Sequence, residues 1–167
     1  MLFGGALPFA CAEFMQLDTF DRQLLGLVQE DAGQTAEQLA LQVVLSPSAI
    51  QQRLRRLREE GVILRDIAIV DPKSVGSPNF YVVSVGVQAE RPELLAQFRK
   101  WIAEQPLVQQ GFYVTGEADF VLVVTAPDLE SFDALMTRMM KENPNVRRFT
   151  TNVALGVVKR GLTIPVK

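Results

Sequence analysis

Among its 167 residues the chain has no histidine and a single cysteine, Cys11. Without histidine, neither Ser-His-Asp nor Cys-His nucleophilic machinery can be built, and the usual zinc ligand sets are missing as well. One cysteine excludes an internal disulfide framework and suits a reducing, cytoplasmic setting. An excess of one charge is lacking too: 17 basic against 19 acidic residues leave −2. The chain is therefore no general polycation, and any contact with a polyanion must come from local clustering. Long apolar runs are scarce. The opening MLFGGALPFACA carries no basic n-region, and its twelve residues fall short of a membrane span. Residues 1–16 are expected to form a disordered extension, with Met15 as a second candidate start just before Leu17, and no membrane partner is expected. Gly111 and Gly116 have the outer-glycine spacing of a phosphate loop, but Glu117 stands where the lysine is needed, so no nucleotide or other cofactor is expected.

What is present is ample core material, 48% hydrophobic residues, in a length that suits one domain or two small ones. The most informative stretch is LSPSAIQQRLRRLREEG, Leu45 to Gly61. Ser46 can cap a helix there, Pro47 suits its first position, and Gly61 suits its end. Ile50, Leu54 and Leu57 fall on one stripe that must be buried. Ser48, Gln52, Arg55 and Arg56 then point outward, flanked by Gln51, Arg53 and Arg58. That face is cationic and rich in hydrogen-bonding groups, although on an isolated helix it would read as ordinary solvated surface. Its setting changes the reading. One amphipathic helix is expected over about 18–30, and a second begins at a capping box formed by Thr35 and Gln38, followed by a short turn at Val43-Val44-Leu45. This is a helix-turn-helix arrangement whose last helix enters the major groove.

The rest alternates. Residues 62–70 are β-rich, and DPKSVGSPN, 71–79, has the composition of a linker. Strands are expected at 80–87, 108–115, 120–125 and 147–158, and helices at 92–104 and 129–142. The order βαββαβ is that of a ferredoxin-like domain. Methionines at helical spacing in the second helix read as core. The helices cover one sheet face, and Val121 and Val123 put apolar residues on the other, which predicts a partner.

Leu17 to Ile63 resembles the DNA-binding domain of the Lrp/AsnC (feast/famine) transcriptional regulators. The matching residues are Leu17, Asp18 and Asp21, then Leu45, Ser46 and Ser48, then Arg53, Arg55, Arg56 and Leu57, and finally Gly61, Val62 and Ile63. Val44 departs from the family's common glycine, and its β-branch resists positive φ. The second half is similar to the family's RAM domain, which dimerises through its sheet. The resemblance implies an α+β protein in four parts: the extension at 1–16, a (winged) helix-turn-helix at 17–64, strand and linker at 65–79, and a RAM domain at 80–167. It also implies binding to double-stranded DNA, an amino-acid effector held between RAM domains, and a homodimer assembling to tetramers or octamers. In this reading Arg53, Arg58 and the helix start hold phosphates. Ser48, Gln52, Arg55 and Arg56 reach base edges, with Ser46 and Gln51 completing the surface.

VTGEADFVL, 114–122, resembles the family's effector segment and retains Gly116 and Asp119, with Glu117 where aspartate is common. Asn152, Val153 and Ala154 align with a second pocket segment that often carries an aromatic residue where Asn152 lies. By residue type alone, Gly116 and Asp119 equally suit a plain tight turn. Two other functions compete. One is an amino-acid-binding partner protein without DNA binding. The other is an enzyme resembling the sirohaem decarboxylases, whose histidine and arginine-rich motifs are missing from QQGFYVTGEADF, 109–120.

Overall fold

A computed structural model describes residues 16–76 and 78–166. The extension expected at 1–16 lies outside the described residues except for Gln16. The described chain divides into two compact units, one formed by residues 16–69 with 159–166 and the other by Val70–Val158.

The first unit begins with α1 (Thr19–Glu30), capped by Asp18, whose side chain accepts from the Asp21 N–H while Asp21 accepts in return from the Asp18 N–H. The short α2 (Ala36–Ala40) starts at the expected Thr35/Gln38 capping box. At Val44 the chain reverses within three residues, the Leu45 N–H reaching the Val43 carbonyl at 2.7 Å and Val44 projecting into solvent, 92% exposed. Next comes α3 (Pro47–Glu59), whose cap Ser46 accepts from the Ala49 N–H at 3.3 Å. Its end is sharp. Gly61 adopts φ +72, which lets the Gly61 and Val62 amides turn back to the carbonyls of Arg58 and Leu57. The stripe Ile50, Leu54 and Leu57 is buried against Leu24, Leu25, Leu39 and Val43, as its spacing predicts.

Within the single chain the β-rich segment 62–70 forms no strand. Residues 64–71 have no regular structure, and Leu64, Ile67, Ile69 and Val70 are exposed. A strand needs a neighbour to satisfy its amides, and this segment has no ladder partner among the described residues of its own chain. Nor do the described residues form a wing hairpin after α3.

The second unit opens with a 3₁₀ turn (Pro72–Val75) and then builds β1 (Asn79–Val87), α4 (Pro92–Ala103), β2 (Val108–Tyr113), β3 (Phe120–Ala126), α5 (Leu129–Glu142) and β4 (Val146–Val153). The strands form one antiparallel sheet ordered β2-β3-β1-β4, the split βαββαβ arrangement. Register puts Tyr81, Val83 and Val85 beside Val124, Leu122 and Phe120, and both sets are buried under the helices. Phe132 stacks on Tyr81 at 3.9 Å, and Phe98 meets Phe120 edge to face at 5.0 Å. Met136 and Met139 are core residues. β4 is shorter than expected, because its pairing with β1 runs out at Tyr81 and Val153. On the opposite sheet face, Val82 and Phe112 are exposed around the half-buried Val121 and Val123.

Candidate functional site

The cationic helix is built from α3, and the structure sorts its arginines into two kinds. Arg53 reaches Asp18 at 2.7 Å and Asp21 at 2.8 Å, and its guanidinium lies over the Phe20 ring. Arg56 reaches the other oxygen of Asp21 at 2.6 Å. Asp21 is 1% exposed, so its charge depends on these two partners, and the three residues clamp α1 to α3. Electrostatics follow the geometry. The Asp21 N–H and the Arg53 guanidinium hold the Asp18 carboxyl below its ordinary value, while the hydrogen bonds to Asp18 and Asp21 push Arg53 up. Arg58 pairs with Asp66 at 3.1 Å near the surface.

The remaining members of the expected set lie on the solvent face. Ser48, Gln51, Gln52 and Arg55 are exposed, as is Ser46, whose hydroxyl lies 3.1 Å from that of Ser48. Shallow grooves run along both sides of the helix. One is lined by Ala49, Gln52, Arg53 and Arg56, the other by Gln34, Ala36, Gln51, Leu54, Arg55 and Arg58. Ser48, Gln52 and Arg55 thus share an exposed helical face, whereas Arg53 and Arg56 face α1. Composition could not separate the two kinds of arginine. Spacing held a clue: Asp18 and Asp21 are three residues apart at the start of one helix, Arg53 and Arg56 three apart on another, so two carboxylates can face two guanidinia.

The second candidate site is the hairpin between β2 and β3. Gly116 adopts φ +125, a conformation that favours glycine, and the Val114 N–H bonds to the Asp119 carbonyl at 2.9 Å. The Asp119 carboxylate accepts from the Val87 N–H at 2.7 Å, so one of its oxygens already fastens the hairpin to β1. Glu117 is exposed. Arg148 of β4 lies opposite Gly86 and approaches Glu117 at 4.0 Å. Both groups lie over Gly86: a Cβ there would stand 3.4 Å from the Arg148 Cγ and 3.9 Å from the Asp119 carboxylate, ordinary contact distances.

Glu117, Asp119 and Arg148 therefore form a mixed-charge cluster at one end of the sheet. Arg148 was not among the expected residues, and only strand register reveals that it faces the hairpin. Asn152, Val153 and Ala154 are not part of this cluster. Asn152 pairs with Val82, Val153 with Tyr81, and the Ala154 N–H bonds to the Phe80 carbonyl, at the other end of β1. From Val82 to Gly86 is about 13 Å of strand. One chain by itself does not join the two halves of the expected pocket.

Comparison with known proteins agrees with both units. Residues 17–63 match the winged helix-turn-helix DNA-binding family model, and residues 81–164 match that of the Lrp/AsnC ligand-binding domain. The chain is 42% identical over 153 residues to the HTH-type transcriptional regulator y4tD of Sinorhizobium fredii, covering 92% of this chain and 90% of that protein. Among solved structures, an AsnC family transcriptional regulator from Agrobacterium tumefaciens superimposes with a TM-score of 0.81 at 30% identity, covering 89% of this chain and 97% of that one. The transcriptional regulator NMB0573 of Neisseria meningitidis, solved as a complex with L-methionine, superimposes with a TM-score of 0.79 at 25% identity, covering 90% and 97%. With a DNA-binding family model over its first unit, a ligand-binding family model over its second, and a relative of this similarity along nearly its whole length, the chain belongs to the Lrp/AsnC family of transcriptional regulators.

Proposed function

We propose that this chain is a cytoplasmic, non-enzymatic transcriptional regulator that reads double-stranded DNA with α3 and takes an amino acid as effector. The observation that carries the reading is the division of labour on α3: two arginines fix the helix to α1, leaving Ser48, Gln52 and Arg55 together on its exposed face. Arg55 is suited to a guanine edge and Gln52 to an adenine edge. Ser46, Gln51, Arg58 and the amides at the start of α3 are placed for phosphates. Arg53 and Arg56 act chiefly by setting the helix's angle. Among the described residues no helix is long and apolar enough to cross a membrane.

The open sheet face, with Val82, Phe112, Val121 and Val123, suits a second copy of the chain, and further association to tetramers or octamers would follow from that dimer. Two α3 helices related by a twofold axis require half-sites about one helical turn apart. At the hairpin, Glu117 and Asp119 are suited to an α-ammonium group and Arg148 to an α-carboxylate. Asn152, Val153 and Ala154 complete that pocket only if another copy supplies them. The L-methionine bound to the Neisseria relative supports an effector of this class. Such an effector changes regulation only by binding one state of the protein more tightly than another.

Selection of duplexes from a randomised library by the purified protein tests the DNA-binding half. Enrichment of a near-palindromic motif whose binding weakens with salt supports it. A library that stays unenriched, with amino-acid binding intact, supports a sensor that does not bind DNA.

A further inference from the structure

The last residues of the chain do not stay with the sheet that precedes them. β4 ends at Val153, and residues 159–166 belong to the compact unit that contains α1, α2 and α3. Their attachment is specific. The Ile164 N–H donates to the Gln29 side-chain oxygen at 2.8 Å, and the Gln29 side-chain nitrogen donates to the Ile164 carbonyl at 3.1 Å. These are the two bonds that a neighbouring strand would make to a single residue, supplied here by one amide side chain. The Ile164 side chain itself is largely exposed, so the grip is on the backbone. Two residues later Val166 packs against the apolar core around Leu24, Leu39 and Leu57.

We propose that the tail 159–166 is a strap built into the DNA-binding unit, seated on a surface of α1 that accepts an extended peptide, and that its occupant is the chain's own end. The consequence rests on the regulator reading above. The chain passes between the two units twice, once after Ile69 and again after Val158, where the tail begins. The tail continues from β4, which carries Arg148, and it ends on α1, which with its cap carries the carboxylates that hold Arg53 and Arg56. Strain arriving through the tail therefore acts on the helix that orients α3.

Hydrogen–deuterium exchange on the full-length protein tests the strap. Gln29→Ala removes both bonds from the α1 side. Ile164→Pro removes the donor from the tail side without touching α1, while Ile164→Val keeps it. The last turn of α1 should exchange on the order of tenfold faster in the first two variants and as in wild type in the third. Unchanged exchange in Gln29→Ala and Ile164→Pro overturns the strap. Mixing a chain truncated after Val158 with full-length Gln29→Ala tests the occupant: restored protection means the tail comes from a second copy and overturns the assignment to its own chain, and continued fast exchange supports it. On a duplex selected by the wild type, Ile164→Pro should bind severalfold more weakly. Equal binding despite faster exchange refutes the coupling. A wild type that selects no duplex removes the regulator reading, while the exchange result still decides the strap.

Discussion

The two units are held together by different physics. Among the described residues of the DNA-binding unit eight apolar residues are buried, a small core that is supplemented by helix caps and by a charged clamp, Asp18 and Asp21 against Arg53 and Arg56. In the ligand-binding unit sixteen are buried, with aromatic rings stacked between sheet and helices. A small unit buries too little area to rely on apolar packing alone, so it fixes helix angles with groups that have preferred directions. Such a clamp also suits a recognition helix, which must be held at a defined angle while its outer face stays polar.

The strongest test of the contrast is Phe98→Ala, which empties a site between Phe120 and Trp101 and should cost the second unit about 3–5 kcal/mol. Trp101 is the sole tryptophan and lies in that core, so its fluorescence reports the unfolding of this unit, while circular dichroism also follows the three helices of the first. Asp21→Asn should cost the first unit about 2–3 kcal/mol, because Arg53 and Arg56 lose their buried partner but, being part-exposed, regain some hydration. Its circular dichroism transition should move to lower temperature while the tryptophan transition stays in place. A smaller effect, about 1 kcal/mol, is expected from Ser46→Ala, which removes the cap of α3.

Acidification should act on the same side of the comparison. Asp18 has a folded pKa below its ordinary 3.8, so its stabilisation is complete above that value and is lost as pH falls below it toward the folded pKa. The first unit's melting should therefore respond to acid over this range, and Asp18→Asn should blunt the response.

Local structure was legible wherever the chain states it locally. Ser46, the Thr35/Gln38 box and Gly61 mark helix ends by side-chain chemistry, and the apolar periods of α3, α4 and α5 identify the faces they bury. The alternation of strands and helices was enough for the βαββαβ order. Features that depend on tertiary partners were hidden. The β-rich segment 62–70 has strand composition but no neighbour to pair with among the described residues. Arg53 and Arg56 read as free cations because their carboxylates lie more than thirty residues earlier. Resemblance to the family groups the effector residues, yet register sets Asn152 beside Val82 and Asp119 beside Val85 and Val87, at opposite ends of one strand. The tail's destination depends on Gln29, a residue that nothing in the local pattern of α1 singles out.

If α3 divides its arginines between reading and clamping, Arg55 is the residue that tests the division most directly. Fluorescence anisotropy of Arg55→Ala should show a loss of about 1–3 kcal/mol on the selected duplex, with binding to unrelated duplex nearly unchanged and the melting of the first unit as in wild type. Equal affinity for the selected duplex in mutant and wild type would contradict that division.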